Sequence, residues 1–240
     1  MSGSVDETAP TADPTSALEG TPTPVGVLGG SGKQGQGLAL RLALAGHPVR
    51  IGSRSPERGV EAAASVAQRA GRDDLDVTGG DQPFACQAPV VIASIPFAGL
   101  EETLAPLADA LTGRVVVSCV VGLAMDGAGP HPVLAQEGSA AERIQRLLPA
   151  SQVVGAFQNL AAGKLLAAPE PIDADVLITG DAPEARAHAA ALVRAVPGLR
   201  PVEAGPLRLS RPVEEMTPVL IALNRAHRTT TSLAITGLKG

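Results

Sequence analysis

The stretch VLGGSGKQGQ, residues 27–36, carries three glycines in the spacing G-x-G-x-x-G: Gly30, Gly32 and Gly35. It follows a short apolar run and opens a segment rich in Ala and Leu, which is the strand–turn–helix context in which this spacing has physical meaning. One glycine permits a tight turn, one lets backbone approach a pyrophosphate, and the third lets the helix pack closely on the strand. The free N–H groups and positive dipole end of such a helix attract phosphates. The motif therefore predicts a dinucleotide site, with a plain glycine-rich turn as the alternative.

The stretch IGSRSPER, residues 51–58, indicates which dinucleotide is bound. An NAD site places Asp or Glu about 20 residues after the glycines, where it accepts hydrogen bonds from the ribose hydroxyls. This chain has Ser53 and Arg54 there, with Arg58 one turn later. A carboxylate would repel a 2′-phosphate, whereas a hydroxyl and two guanidiniums bind it through charge-assisted hydrogen bonds. The pattern predicts NADP(H); in the alternative, both arginines are surface charges at a helix start.

Ser94, Ile95 and Pro96 follow a third apolar run. Ligands of open parallel sheets lie beyond the carboxyl ends of the strands. We therefore expect this segment to line the cofactor pocket beside the nicotinamide. The alternative is a simple strand-to-helix turn made by Pro96.

The order of the elements predicts an α/β fold: an N-terminal Rossmann domain with a doubly wound parallel sheet, and a smaller C-terminal α/β domain. In the first part, strands are expected at 25–28, 48–51, 90–95 and 115–118, with helices at 33–45, 57–70 and 98–111. Ser55 and Pro56 are the expected cap and first-turn residues of the second helix. In the second part, a capping box at 139–142 opens a helix, strands are expected at 153–157, 176–179 and 199–202, and helices at 183–195 (capped by Asp181) and 211–227. The predicted boundaries are a disordered tail at 1–23, the NADP-binding domain at 24–150 and the C-terminal domain at 151–240, which completes the substrate cleft.

Composition excludes several classes of function. The chain has 240 residues, three Phe, no Tyr and no Trp, which argues against aromatic stacking on single-stranded nucleic acid. A net charge of −5 without a long basic run argues against any nucleic-acid partner, and no apolar stretch is long enough for a membrane span. Cys86 and Cys119 lie far apart and outside metal-type spacing, so we expect reduced thiols, no metal site and a cytoplasmic protein.

Four longer stretches carry a resemblance to a known family: VLGGSGKQGQGLALRLALAGH, IGSRSPER, GSAAERIQRLLP and GLRPVEAGPLRLSRPVEEMTPVLIALN. Together they resemble the NADP oxidoreductases that use the deazaflavin coenzyme F420, over residues 25–238. LRPVEAGPL and EEMTPVLI are the most specific parts. The resemblance implies reversible hydride transfer between NADPH and oxidised coenzyme F420, small-molecule cofactors as the binding partners, and a homodimer.

The resemblance also implies two sets of site residues. Phosphate contacts fall on Ser31, Lys33, Gln34, Ser53, Arg54 and Arg58. The deazaflavin face is lined by Cys119 and Val120 in the segment after Ser118, by Phe157, Gln158, Asn159 and Leu160, and by the region of Leu233. The chain departs from the family pattern at Gln158, where His is usual, and at Cys119, where Pro is common.

No acid–base pair stands out among these residues, so we expect the protein to position its ligands without carrying protons. Gln158 and Asn159 are the candidate orienters of ring carbonyls or of the nicotinamide amide, because a side-chain amide donates hydrogen bonds but carries no proton. The four histidines, His47, His131, His188 and His227, are expected at the surface. Two alternatives remain: an NADP-dependent reductase of another carbonyl or imine, and an NADPH-binding sensor without turnover.

Overall fold

The computed structural model describes residues 22–133, 135 and 138–238, and within them strands alternate with helices. The strands are β1 (Val25–Leu28), β2 (Val49–Ser53), β3 (Val77–Asp81), β4 (Val90–Ala93), β5 (Val115–Ser118), β6 (Leu123–Asp126), β7 (Gly129–Pro132), β8 (Gln152–Gly155), β9 (Ala174–Gly180) and β10 (Leu199–Gly205). The α-helices are α1 (Lys33–Leu44), α2 (Pro56–Ala70), α3 (Gln82–Ala85), α4 (Leu100–Leu104), α5 (Ala140–Leu147), α6 (Ala162–Leu166), α7 (Pro183–Ala195) and α8 (Ser210–His227).

Eight of these strands form one sheet in the order β3-β2-β1-β4-β5-β8-β9-β10, and β6 and β7 form a separate antiparallel hairpin. The six strands from β3 to β8 are parallel, and the strand order reverses between β1 and β4 as in a Rossmann fold. β9 runs antiparallel to β8, and β10 runs parallel to β9. The α/β fold predicted from the sequence is confirmed, and its last three strands extend the same sheet.

The strands at the centre of the sheet are buried because helices cover both faces. β1, β4 and β5 are fully buried four-residue runs of aliphatic residues, interrupted only by Gly26 in β1 and by Ser118 at the end of β5. Alternate residues face opposite ways: Val90 and Ile92 join one hydrophobic cluster, and Val91 and Ala93 join the other. The core is therefore an aliphatic layer on each side of one sheet.

Local capping explains several helix boundaries. Ser55 accepts a hydrogen bond from the Arg58 amide and Pro56 opens α2, as the sequence predicts. Ser139 and Glu142 form the predicted capping box of α5. Gly46, at φ +90°, follows the end of α1 in a conformation that suits glycine.

Other sequence-based predictions differ from the structure. The helix expected at 98–111 is reduced to α4 between two 3-10 turns, the second of which contains Pro106, a residue that cannot continue an α-helical hydrogen-bond ladder. Asp181 does not cap α7, whose N-cap is Ala182; its carboxylate accepts from the Leu207 amide at 3.0 Å. β3 and the β6–β7 hairpin were not predicted, because their short sequences include Gly, Pro or charged residues.

One histidine also differs from expectation. His47 is 7% exposed and its Nδ1 lies 3.1 Å from the Thr23 amide nitrogen, so the predicted surface position is wrong. His131, in β7, is exposed as expected. The predicted tail falls outside the described residues except for positions 22 and 23.

Among the helices that the structure describes, none is both long and apolar enough to cross a bilayer. The described residues also contain no group of three or more His, Cys, Asp or Glu placed to hold a metal ion.

Candidate active site

The candidate site lies at the carboxyl ends of β1 and β4, where the strand order reverses. Such a switch point opens a crevice between the loops that follow the two strands. Gly29 (φ +77°) turns the chain directly after β1, and a Cβ there would clash with the Ser94 carbonyl that follows β4. The glycine therefore brings the two loops into contact at the base of the crevice.

The three motif glycines have separable roles. A Cβ on Gly35 would lie 2.7 Å from the Gly29 carbonyl oxygen, and one on Gly30 would lie 2.5 Å from Cγ2 of Ile51. Both glycines are needed for close packing of the turn, α1 and β2. A Cβ on Gly32 would meet only the Gly29 oxygen, at 3.4 Å, so this position keeps space open at the start of α1.

The N-terminus of α1 is available to an anion. Its N-cap, Gly32, has no side chain to accept from the first-turn amides, and no acidic residue lies in that turn. Helix N–H groups without intrahelical partners carry partial positive charge and bind phosphates. The glycine cradle and the uncapped helix fit the pyrophosphate of a dinucleotide.

A cleft of about 460 Å³ opens over this helix end. Ten of its lining residues are among those predicted from the sequence: Ser31, Gly32, Gln34, Ser53, Arg54, Ser94, Ile95, Pro96, Cys119 and Val120. Others were not predicted: Gly29, Gln82, Phe97, Gly99, Glu102, Thr103 and Val121. We call this space the nucleotide cleft.

The predicted 2′-phosphate residues occupy one end of the nucleotide cleft. Ser53 is buried at the end of β2, and Arg54 is exposed at the next position. Both belong to the cleft wall. Lys33 and Arg58 are exposed but are not among the residues that line the cleft. The backbone N–H of Arg58 donates to the side chain of Ser55, the N-cap of α2.

A second cleft, of about 380 Å³, adjoins the first. Gln34, Cys119 and Val121 line both spaces, so one wall is common to them. The remaining lining comes from the loop after β8, from the first residue of α6, from α8 and from one residue beyond α8: Gln158, Asn159, Leu160, Ala161, Ala162, Thr217, Leu220, Ile221, Asn224 and Thr231. We call this space the second cleft.

The loop after β8 has a strained, fully buried residue at its centre. Phe157 has φ +66°, a left-handed conformation that a bulky residue rarely adopts. Surrounding bonds hold the loop: the Ala156 amide donates to the Ser118 carbonyl at 3.0 Å, and Thr217 Oγ1 donates to the Gln158 carbonyl at 2.9 Å. Such strain persists only where the surroundings determine the backbone, and it concentrates at functional sites.

Two amide side chains in this loop carry buried atoms without a protein partner. Gln158 Oε1 and Nε2 and Asn159 Oδ1 are inaccessible to solvent and have no hydrogen-bond partner within the described part of the chain. Asn159 Nδ2 donates to the Asp175 carbonyl at 2.7 Å, which fixes that side chain. An unpartnered buried polar atom is costly, and each one in a native protein requires an explanation such as a ligand.

Cys119, which lines both clefts, is an unreactive thiol. Its Sγ donates to the Ala93 carbonyl at 3.3 Å, and burial raises the pKa of the thiol to about 11. At neutral pH the group therefore stays protonated and is a poor nucleophile. It contributes a small apolar surface between the two clefts.

Leu233 and the fully buried Phe157 are predicted deazaflavin-face residues that line neither cleft. Leu233 lies apart from both spaces. Its carbonyl oxygen accepts from the Asp175 amide at 2.8 Å, and it lines neither space. Thr231, two residues earlier, lines the second cleft instead.

The α8 side of the second cleft was missed by sequence reasoning, although the sequence contains the signal. Thr217, Leu220, Ile221 and Asn224 follow the spacing i, i+3, i+4, i+7, which places them on one face of a helix. Two polar residues at the ends of an apolar stripe indicate a ligand-facing surface better than a core surface.

Comparisons with known proteins agree with a dinucleotide site in the first half of the chain. Residues 24–122 match the family model described as NADP oxidoreductase coenzyme F420-dependent. The chain is 40% identical over 209 residues to the F420-dependent NADP reductase of Methanothermobacter thermautotrophicus, covering 85% of this chain and 90% of that protein. It is 36% identical over 222 residues to the F420-dependent NADP reductase of Methanocaldococcus jannaschii, covering 90% of this chain and 99% of the other.

A solved structure supports the fold. The crystal structure of a putative F420 dependent NADP-reductase from Arthrobacter sp. FB24 superposes with a TM-score of 0.76, covering 88% of this chain and 98% of that chain at 24% identity. With a cradle for a dinucleotide, an adjoining second cleft and relatives of this identity over most of its length, the chain belongs to the F420-dependent NADP reductase family.

Proposed function

We propose that the protein transfers a hydride reversibly between NADPH and the oxidised deazaflavin coenzyme F420. The observation that carries this proposal is the wall common to the two clefts, formed by Gln34, Cys119 and Val121. Two ligands in spaces that share a wall lie next to each other, which is what direct transfer between two rings requires. The names of the relatives supply the identity of the second ligand.

The nucleotide cleft holds NADP(H) in this proposal. The N–H groups at the start of α1, with Ser31, bind the pyrophosphate, and Gly32 gives it room. Ser53 and Arg54 bind the 2′-phosphate, and the nearby exposed charges of Lys33 and Arg58 add to the attraction. The segment 94–96 lies beside the nicotinamide.

The second cleft holds the deazaflavin ring. Its wall combines apolar side chains such as Leu160, Leu220 and Ile221 with the amides of Gln158 and Asn159. The amide of Gln158 is buried without a partner beside this cleft, and in this proposal it turns toward the ring to bond a ring carbonyl or N–H group, which orients the ring without a proton-carrying residue.

The bound coenzymes supply the carbon atoms between which the hydride moves. The protein's part is to hold them face to face and to exclude water. Orientation of this kind contributes on the order of 7–11 kcal/mol to lowering a reaction barrier. The hydride carries its hydrogen and both electrons, and the one further proton that the reduced deazaflavin takes up would come from water. No wall residue therefore needs to carry a proton, consistent with the protonated Cys119 and the neutral amides.

Three further features belong to the same proposal. The chain divides functionally near residue 150, with 24–150 binding NADP and 151–240 completing the second cleft.

The protein is a homodimer. Helix α8 exposes the apolar side chains of Val219 and Leu223, which are half and two-fifths exposed, and the adjacent β6–β7 hairpin exposes Met125. It acts in the cytoplasm.

The test mixes the protein with NADPH and oxidised coenzyme F420 and follows absorbance. Loss of the deazaflavin band with oxidation of NADPH, and much slower loss with NADH, is the expected result. NADPH binding without any change in the deazaflavin band would overturn the proposal. Carbonyl and imine substrates assayed in parallel then separate another reductase from an NADPH-binding sensor.

A further inference from the structure

We propose that Gln34 is a positioning residue for hydride transfer, acting through the carbonyl group of Phe157. The inference rests on the proposed function. It assigns to Gln34 a task beyond phosphate contact: to set the loop of the second cleft relative to the helix that binds the nucleotide.

Gln34 stands where the two ligand spaces meet. It is the second residue of α1, at the phosphate-binding end, and it lines both clefts. Its Nε2 donates to the Phe157 carbonyl oxygen at 3.3 Å, across a sequence separation of 123 residues. The side chain is therefore directed at the second-cleft loop, which leaves the backbone N–H of this residue for the nucleotide.

The Phe157 carbonyl oxygen accepts two hydrogen bonds, and we call it the junction carbonyl. Besides the bond from Gln34, it accepts from the Leu160 amide at 3.3 Å, which closes the turn 157–160. The orientation of this carbonyl therefore affects the whole turn. The left-handed backbone of Phe157 is disfavoured and must be held by its surroundings. Because the carbonyl belongs to the peptide that leads into Gln158, rotation of this peptide moves the Gln158 side chain in the second cleft.

Other side-chain bonds to the loop come from elements outside the nucleotide cleft. Thr217, on α8, donates to the Gln158 carbonyl, and Asn159 donates to a carbonyl of β9. The hydrogen bond from the Gln34 side chain, by contrast, links the first turn of α1 directly to this loop. Its loss should change the separation between the two ligands more than the shape of either cleft.

The remainder of α1 is anchored independently, so the fold does not depend on Gln34. A Cβ on Gly37 would lie 2.5 Å from Leu165 Cβ, which shows how closely α1 meets α6. Arg41, buried, donates to the Lys164 and Leu165 carbonyls at 2.6 and 2.9 Å. Gln34, Gly37 and Arg41 lie on one stripe of the helix, and the last two keep α6 in place when the first is changed.

The experiment compares Gln34→Leu with Gln36→Leu, the same change two residues later on the same helix and outside both clefts. We expect Gln34→Leu to lower the single-turnover rate of hydride transfer, at saturating NADPH and coenzyme F420, about tenfold, the scale of one lost hydrogen bond. The Kd for NADPH should stay within about twofold of wild type, since the helix N–H groups remain. Gln36→Leu should match wild type in both measurements. A weaker Kd for NADPH with an unchanged transfer rate would instead make Gln34 a nucleotide contact only and overturn the inference.

Hydrogen exchange separates this inference from the proposed function. We expect the Leu160 amide to exchange about tenfold faster in Gln34→Leu than in wild type or Gln36→Leu, because the junction carbonyl is released. Unchanged exchange at Leu160 would refute the link between Gln34 and the loop whether or not the wild type reduces the deazaflavin. An inactive wild type with the faster exchange in Gln34→Leu would overturn the proposed function and leave the link between helix and loop standing.

Discussion

The two clefts are built by different means. The nucleotide cleft consists mainly of loops that directly follow β1, β2, β4 and β5, and its binding groups are backbone amides and exposed cations. The second cleft gathers residues from α1, the loop after β8, α8 and the segment beyond it, and its polar groups are buried amides. In the proposed function, local geometry at strand ends would bind the charged ligand, whereas side chains that only tertiary packing brings together would enclose the apolar, carbonyl-bearing ring.

The difference should appear in how each cleft tolerates mutation. The glycine turn of the nucleotide cleft is closely packed against neighbouring backbone. A side chain added there cannot be accommodated without moving that backbone. The second cleft contains buried polar atoms without hydrogen-bond partners, which lower the stability of the fold. Such a cost is expected where residues serve ligand binding and not stability. The following predictions test that contrast, beginning with the largest expected effect.

Gly35→Ala should damage the nucleotide cleft most. Its Cβ would lie 2.7 Å from the Gly29 carbonyl oxygen and 2.9 Å from Gly30 Cα, forcing the turn away from α1. We expect NADPH affinity, measured by titration of NADPH fluorescence, to fall about 100-fold, in line with the cost of overpacking a rigid site. Gly127→Ala, at a position with no atom within 4 Å of the added carbon, is the control and should bind normally. Normal NADPH binding by Gly35→Ala would show that the cradle is not closely packed.

Arg54→Asp should reverse the choice of cofactor without changing the fold. The substitution removes a charge-assisted contact to the 2′-phosphate and adds a repulsive charge, so the ratio of NADPH to NADH affinity should fall about 30-fold. Arg69→Asp, an exposed arginine at the other end of α2, should leave the ratio unchanged. Equal losses of affinity for both cofactors in Arg54→Asp would count against a 2′-phosphate at this position.

Gln158→Leu should raise stability and lower activity together. It removes two buried atoms that lack partners, so the Tm should rise by a few degrees, while turnover of coenzyme F420 falls about tenfold. The matched control is Gln145→Leu: Gln145 donates to the Leu148 and Ser151 carbonyls and accepts from the Val153 amide, so its loss should lower the Tm. If Gln158→Leu lowers both Tm and turnover, the amide is structural.

Gln158→His extends the same test. The imidazole retains a hydrogen-bond donor, so turnover should be preserved or raised if this residue faces the ring. A large fall in turnover would indicate that the second cleft of this chain is shaped around glutamine. Steady-state rates at saturating NADPH decide between the two outcomes.

The smallest effect concerns the support of the second cleft. Glu214, on α8, is 6% exposed and accepts from the Ala140 and Ala141 amides at 2.8 and 3.1 Å, at the start of α5. Burial raises the pKa of this carboxyl to about 7, from an ordinary value of 4.5. The folded state therefore holds the proton more tightly than the unfolded state, and its free energy of unfolding should decrease as pH rises from 4.5 to 7.

Glu214→Gln should flatten this dependence, as measured by thermal melts at pH 5 and pH 7.5. The difference from wild type should be a few degrees in Tm. Glu61→Gln, which changes an exposed carboxyl on α2, is the control and should keep the wild-type slope. A wild-type slope in Glu214→Gln would mean that another group titrates in this window.

The sequence by itself determined the nucleotide half of the protein. The glycine spacing after an apolar strand, and the Ser-Arg pair after the next, are local signals because backbone geometry and strand ends fix where those residues lie. The α/β order of elements, the capping of α2 and α5 and the bounds of α7 followed from the same local rules. Even the departure at Gln158 was visible, although its burial and missing partners were not.

Only the tertiary structure decided the second cleft. Phe157 takes a left-handed backbone that no local propensity favours, Thr231 replaces Leu233 at the wall, and Gln34 crosses from the phosphate loop to a residue 123 positions away. Each of these depends on how α1, α8 and the end of β8 pack against one another. Side-chain contacts between distant segments are set by that packing, and no periodicity or motif in the sequence records them.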